Sequence, residues 1–264
     1  MLLRVFVSLW QRKNQEIVVD LVGNMNMNVV IMQPFYLFLR KHFHQIYRAD
    51  VYVFLDDVQY VRRGHHNRNR IKGPNGITWL TVPVKKKGKY FQKLQEVEID
   101  NSVNWRQKHW NTIVSAYSKS TYFKNYAGFF EECYQKQWFN LCNLNIYLIK
   151  NISEMLGISN TKFIRSSELG IGSDSPSQRL IDICEHLGAK RYIIGTRAKD
   201  YMEEDLWTKT SVQLEYFEPD YPPYPQLWGG DFYPYCAIVD LLFNCGPQSG
   251  EYIWGSRFEE QQRT

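Results

Sequence analysis

An α/β fold with a mainly parallel, Rossmann-like sheet, helices on both faces and an inserted helical subdomain is predicted by three features. Two apolar runs, Asn28–Met32 and Val51–Leu55, flank a helical stretch reaching Arg48, which is the order and spacing of a βαβ unit. Both runs are continuous instead of alternating, so each strand is buried on both faces, as strands of a parallel sheet are. The alternation of strand and helix then resumes over residues 162–194, after a long helical middle.

In chain order, the first strand ends at the turn Gln33-Pro34, and Pro34 suits a helix start. Gly73-Pro74-Asn75-Gly76 is a turn, followed by a strand over Ile77–Val84 and a short one at Glu96–Ile99, with Lys85–Lys93 as a basic loop between them. Asp100–Ser102 caps a helix whose Val103, Trp110, Ile113, Val114 and Tyr117 share a face. Phe130, Tyr134, Leu141, Leu144, Leu148, Ile152 and Met155 recur at helical spacing over 128–156, with one break expected near 140–145 and a stop at Gly157. Lys162–Arg165 is a strand, Ser175–Leu187 a capped helix, and Arg191–Ile194 a strand broken at Gly195. The proline- and tyrosine-rich stretch 218–228 excludes a regular element, and a last helix covers 234–244. Residues 25–257 are expected to form one α/β domain with a helical insertion at about 101–157. Residues 1–24 precede Met25 and Met27 as an N-terminal extension, and 258–264 form a polar tail.

The 264 residues carry 32 Lys+Arg and 27 Asp+Glu, a net charge of +5, with 44% hydrophobic residues. That composition suits a globular core and excludes a disordered chain. The charge excess is too small to announce a nucleic-acid-binding domain, so no specific nucleic acid is expected as partner. Five cysteines without a CxxC spacing suggest neither a disulfide framework nor a zinc site, which points to a cytoplasmic protein. No apolar run reaches the roughly 20 residues of a membrane span.

Five groups of residues carry candidate chemistry. Gln33 and Pro34 follow the first strand, where parallel sheets bind ligands and a helix N-terminus offers amides to an anion. Asp56, Asp57 and Gln59 end the second strand and lead into Arg63, Asn67, Arg68, Asn69 and Arg70. Carboxylates followed by arginines suit a phosphorylated or carboxylated ligand, because a guanidinium makes forked hydrogen bonds to either; the competing reading is a self-neutralising salt-bridge cluster. Trp105 and His109 share a helix face, where a histidine is either a base or a packed core residue. Gly195, Arg197, Lys199 and Tyr201 form a strand-to-helix junction that either holds an anion or is a surface connection. Tyr224 and Gln226, with Asp240 and Asn244 on the last helix, form either a stacking platform or a rigid packing loop. No metal-specific spacing occurs, so no metal ligands are assigned.

Several segments also match a known pattern in order: Val30-Ile31-Met32-Gln33-Pro34, Ala49-Asp50-Val51, Asp56-Asp57-Val58-Gln59, Asn67-Arg68-Asn69-Arg70-Ile71, Trp105 with His109, and Leu156-Gly157-Ile158. Gly195 to Tyr201, Tyr224-Pro225-Gln226 and the run from Asp240 to Pro247 complete the set. In these the chain resembles the WbqC family of bacterial surface-polysaccharide gene clusters, from about Asn28 to Gly250. The resemblance implies transfer of glycine or a related acyl group to a sugar in O-antigen or lipopolysaccharide biosynthesis. The chain departs from the family pattern in its first helix, where Phe38, Leu39, Lys41 and His42 replace an aromatic Gly-Tyr-Phe motif and only Phe43 is kept. Ile194 and Ala237 stand where serines are usual, so neither position supplies a nucleophile. The first βαβ unit is also similar in order to pantothenate synthetase and related nucleotidyl-transferring enzymes, which implies ATP, with magnesium, as the activator of a carboxylate.

The expected function is acyl or aminoacyl transfer to the amine of a nucleotide-linked amino sugar, from an activated acyl or amino-acid donor. Arg68, Arg70, Arg63 and the Gln33-Pro34 turn hold phosphate, Asp56 or Asp57 positions or deprotonates the amine, and His109 is the next candidate base. The alternatives are a nucleotide-sugar glycosyltransferase and a non-catalytic scaffold of a polysaccharide assembly complex.

Overall fold

A computed structural model describes residues 26–173 and 175–255; the expected extension at 1–24 and tail at 258–264 lie outside the described residues. In chain order, leaving aside single-turn and 3-10 helices, the elements are β1 (Asn28–Met32), α1 (Arg40–Arg48), β2 (Val51–Phe54), β3 (Arg68–Gly73), β4 (Gly76–Thr81), α2 (Trp105–Tyr117), α3 (Phe123–Gln135), α4 (Leu141–Met155), β5 (Lys162–Arg165), α5 (Pro176–His186), β6 (Arg191–Gly195), β7 (Gln213–Phe217) and α6 (Ile238–Cys245). The chain divides into two compact units, one of residues 26–32, 48–55 and 160–218, the other of 33–47, 56–159 and the residues from 219 onward.

The first unit is a five-stranded sheet in the order β5-β2-β1-β6-β7, every neighbouring pair parallel. This is the Rossmann-like α/β sheet that the continuous apolar runs predict, and β2 is buried at every position. Asp50 fixes where β1 begins, its carboxylate accepting from the Asn28 amide at 2.7 Å. Val29, Ile31, Val53, Ile181, Ile183 and Tyr192 belong to one apolar cluster with Trp207, which stacks on Tyr192 at 5.0 Å. α5 starts as its sequence dictates, with Pro176 in the first turn and the Ser175 side chain accepting from the Gln178 amide. Strand order reverses between β1 and β6, the position at which open parallel sheets bind ligands.

The second unit holds the β3–β4 antiparallel hairpin and helices α2, α3, α4 and α6. The hairpin corrects two expectations. Residues 68–73 form a strand instead of continuing the arginine-rich loop, and the strand expected at 77–84 spans 76–81. Residues 94–96 form a 3-10 turn, and 96–99 contribute only isolated bridges, Ile99 with Val84 and Glu98 with Asn140. The long helix breaks at 136–140, slightly earlier than expected, because Asn140 caps α4 by accepting from the Asn143 amide at 2.9 Å. α6 begins at Ile238, four residues later than expected, and nearly all its side chains are buried.

α6 ends at Gly246, which has φ 54° and ψ −127°. A Cβ there would come within 2.3 Å of the Tyr122 ring. Gly246→Ala is therefore expected to cost about 2–4 kcal/mol through combined strain and overpacking. An unchanged urea midpoint would show that Tyr122 moves aside without penalty.

Candidate functional site

The Asn67-Arg68-Asn69-Arg70 segment owes its arrangement to the period of two along β3. The asparagines turn inward. Asn67 donates to the Val82 carbonyl at 2.8 Å, and Asn69 donates to the carbonyls of Leu37 at 2.6 Å and Tyr36 at 3.2 Å. Leu37 has φ 47°, an uncommon backbone for a leucine, and Asn69 is the group that braces it. The arginines turn the other way. The guanidinium of Arg68 lies 4.7 Å from the Trp79 ring and that of Arg70 lies 5.0 Å from it, Trp79 being the cross-strand partner of Arg70. Arg70 also faces Tyr233 at 5.3 Å and Tyr235 at 5.9 Å.

Neither Arg68 nor Arg70 has a carboxylate partner among the described residues. Arg68 donates to the carbonyls of Arg63 and Gly64, while the Nε of Arg70 is buried without any hydrogen-bond partner. Trp79 and Tyr235 are exposed. Two guanidinium groups over an exposed indole, with donors unsatisfied by protein, make a platform suited to an anion carrying a planar or apolar part. The self-neutralising salt-bridge alternative does not describe these two arginines.

Asp56 is fully buried, its backbone carbonyl accepting from the Gln95 amide at 2.8 Å, whereas Asp57 is half-buried. Gln59 is exposed and bridges Lys93. Arg63 is exposed with φ 65°. Gln33 accepts from His66 Nε2 at 2.7 Å. A neutral ring whose Nε2–H points at an amide oxygen cannot also donate from Nδ1, and burial holds His66 neutral by lowering its pKa to about 4. The Pro34 carbonyl accepts from Asn145, which also donates to the His66 carbonyl, so α4 clamps the segment leaving β1.

Trp105 packs edge-on against His109 at 5.3 Å. His109 is buried with both nitrogens engaged. Its Nε2 donates to the Thr81 carbonyl at 3.2 Å, so Nδ1 accepts from Tyr36 Oη at 2.9 Å, and Tyr36 in turn bonds Tyr134. Burial lowers its pKa to about 4. Tyr224, Gln226, Asp240 and Asn244 are brought together, but around each other. The buried Asp240 carboxylate accepts from Tyr117 and Tyr224 hydroxyls, each at 2.7 Å, and from Gln226 Nε2 at 2.8 Å. Asn244 accepts from the Leu227 amide at 3.1 Å. Burial nonetheless raises the Asp240 pKa, the three donors pulling it partly back. In the sheet unit, Gly195 ends β6 and Arg197, Lys199 and Tyr201 are exposed beyond it, Lys199 lying 4.8 Å from the Tyr216 ring.

Sequence reasoning missed Trp79, Tyr233 and Tyr235. Trp79 was within reach, since pairing across the 73–76 turn sets it opposite Arg70. It also missed a cleft of about 610 Å³ beside the basic loop and another of about 560 Å³ beside the hairpin turn and α2; none of the sequence-predicted site residues lines either. Among the described residues no three His, Cys, Asp or Glu side chains are grouped to hold a metal ion, no helix is long and apolar enough to cross a membrane, and all five cysteines are buried free thiols.

A family model described as the WbqC-like protein family matches residues 33–252. The chain is also 37% identical over 227 residues to Uncharacterized protein Rv1507c of Mycobacterium tuberculosis, an alignment covering 85% of this chain and 96% of the relative. No solved structure matches.

Proposed function

The chain belongs to the WbqC-like protein family, and from that premise we propose that it is a cytoplasmic transferase of surface-polysaccharide assembly, moving an acyl or aminoacyl group to the amine of a nucleotide-linked amino sugar. The observation that carries this reading is the pair Arg68 and Arg70, stacked on Trp79 without carboxylate partners. A guanidinium not neutralised by the protein is free to hold phosphate, and the indole offers a face to whatever the phosphate bears.

Of the two aspartates, Asp57 is the one open enough to meet a substrate amine, so it takes the general-base role while the buried Asp56 shapes the segment. The amine nitrogen attacks the acyl carbon, the N–C bond forms, the bond to the leaving group breaks, and the nitrogen's proton passes to Asp57. A free carboxylate has no leaving group able to depart in this step, so the donor arrives as a mixed anhydride or thioester. Activation with ATP and magnesium would supply such an anhydride.

The test is a calorimetric and thermal-shift panel of UDP- and TDP-linked amino sugars, UDP-glucose, ATP with magnesium, and glycine, joined to mass spectrometry of the products. A nucleotide amino sugar should stabilise the protein and gain the mass of an acyl or glycyl group when an activated donor is present. Arg70→Ala removes stacking on Trp79, Tyr233 and Tyr235 but no side-chain hydrogen bond or ion pair, so it should lower the melting temperature only modestly and weaken binding by at least about tenfold, the loss of one charge-assisted contact. Unchanged affinity in Arg68→Ala and Arg70→Ala would remove the platform from the site. Turnover of UDP-glucose without acyl donor would favour glycosyl transfer instead.

A further inference from the structure

Backbone pairing of residues 58–60 with 92–94 sets Tyr60 beside Gln92, the Tyr60 amide donating to the Gln92 carbonyl at 3.0 Å and the Leu94 amide to that of Val58 at 2.8 Å. On these paired residues three buried polar side-chain atoms have no hydrogen-bond partner, Tyr60 Oη and both Oε1 and Nε2 of Gln92. Both side chains are over nine-tenths buried, Tyr60 at 3% exposure and Gln92 at 8%. Buried polar groups are nearly always satisfied, so three orphans on adjacent residues require an explanation.

Gln92 forms part of the wall of the cleft of about 610 Å³, a size suited to a small-molecule ligand. Its other walls are chemically varied. Tyr90 and Phe91 are 62% and 80% exposed and sit edge to face at 4.8 Å, giving a largely exposed aromatic surface. Arg62 lies 5.2 Å from the Tyr90 ring and donates only to the Lys86 carbonyl. Lys89 contributes an ammonium that is already paired with Glu98, so Arg62 is the cation more available to a ligand. Glu96 accepts the Lys93 amide with Oε2 and lines the cleft.

We propose that this cleft binds the nucleoside part of a nucleoside diphosphate. The inference rests on the reading above for the identity of the transferred group and deepens it by placing the nucleotide. The aromatic wall stacks a base, as exposed aromatic side chains do for any base. Turned outward about its terminal torsions, the Gln92 amide presents an acceptor beside two donors, the complement of a base edge. Glu96 accepts from a ribose hydroxyl, a role acidic side chains commonly take toward ribose. Arg62 meets the phosphates. The cleft and the Arg68–Arg70 platform belong to the same compact unit.

The full-length protein should be titrated calorimetrically with UDP, ADP, ribose 5-phosphate and pyrophosphate. UDP or ADP should bind more tightly than ribose 5-phosphate or pyrophosphate. Tyr90→Ala and Gln92→Leu should weaken the preferred nucleotide by about tenfold or more and leave pyrophosphate unchanged, the loss expected for one stacking or base-edge contact. Gln92→Leu replaces two unsatisfied buried atoms with apolar ones, so its ligand-free melting temperature should equal or exceed the wild type's; a merely structural glutamine would show the reverse. Nucleotides binding no better than pyrophosphate, or binding both variants like wild type, would overturn the proposal. Nucleotide binding lost only in Arg68→Ala and Arg70→Ala would sink the cleft and spare the transferase reading. Binding that needs Tyr90 and Gln92 without acyl transfer to any amino sugar would do the opposite.

Discussion

Lowering the pH from 7 to 4 is expected to remove about 6 kcal/mol of stability through two histidines alone. His66 and His109 are buried at 2% and 4% exposure, and desolvation lowers each pKa from 6.5 to about 4 in the folded chain. For His109 the nearby Lys108 adds to the effect and the Thr81 carbonyl opposes it; for His66 the neighbouring His65 adds to it and the Val61 carbonyl opposes it. The unfolded chain takes up a proton on each ring below about 6.5, whereas the folded chain resists until about 4. Stability from these groups is therefore complete above 6.5 and is lost as pH falls through that window. At about 1.4 kcal/mol per pH unit the loss is about 3 kcal/mol for each ring by pH 4. That is a large share of the roughly 5–15 kcal/mol available to a folded domain. Urea titrations at pH 7, 5.5 and 4.5 should show a steadily falling midpoint, and His109→Gln should flatten the slope, removing half of the part owed to these two rings. A midpoint independent of pH over this range would mean that both rings are solvated.

The second large effect concerns Asp240. Its carboxylate is the common acceptor for Tyr117, Tyr224 and Gln226, and its residue has no exposure. Asp240→Ala removes the acceptor and leaves two buried hydroxyls and an amide without it, which should cost about 3–5 kcal/mol. The double variant Asp240→Ala with Tyr224→Phe should recover part of that loss, because one orphaned donor disappears with its partner. Such recovery in a double-mutant cycle identifies a coupled network. Simple additivity of the two losses, or a wild-type melting temperature for Asp240→Ala, would contradict the arrangement. Because burial raises the Asp240 pKa, the folded chain holds its proton more tightly than the unfolded one. The group therefore favours folding below the ordinary carboxylate value and loses that contribution as pH rises through its raised value. Its pH trend is opposite in sign to that of the histidines, and Asp240→Asn should remove it.

What the sequence by itself determined is the set of features with a local cause. β1, β5 and the start of α5 stand where the apolar runs and the Ser175-Pro176 cap put them, because burial period and capping are written in consecutive residues. The absence of a regular element over 218–228 follows equally from its prolines. β3 was missed because a strand that opens Arg-Asn-Arg lacks the usual apolar alternation; Asn67 just before it and Asn69 within it face inward to satisfy backbone carbonyls, and Ile71 is the only inward apolar side chain of the strand. β7 was missed as well, a half-buried strand with one edge unpaired in the sheet and a correspondingly weak apolar signal.

Within the candidate site, the residue types were legible and their partners were not. Arg68 and Arg70 could be picked out as candidates from a strand-end cluster, but that Trp79 stacks on both depended on a hairpin register. That His109 is wired to Tyr36 and Tyr134 depended on three segments of the second unit meeting around one ring. The pairing of Tyr60 with Gln92, and with it the cleft, joins positions about thirty residues apart with no common motif. Only the tertiary structure decided these, because a hydrogen bond or a stacked ring is set by distances of a few ångströms in space, and sequence separation carries no record of them once the chain has folded back on itself.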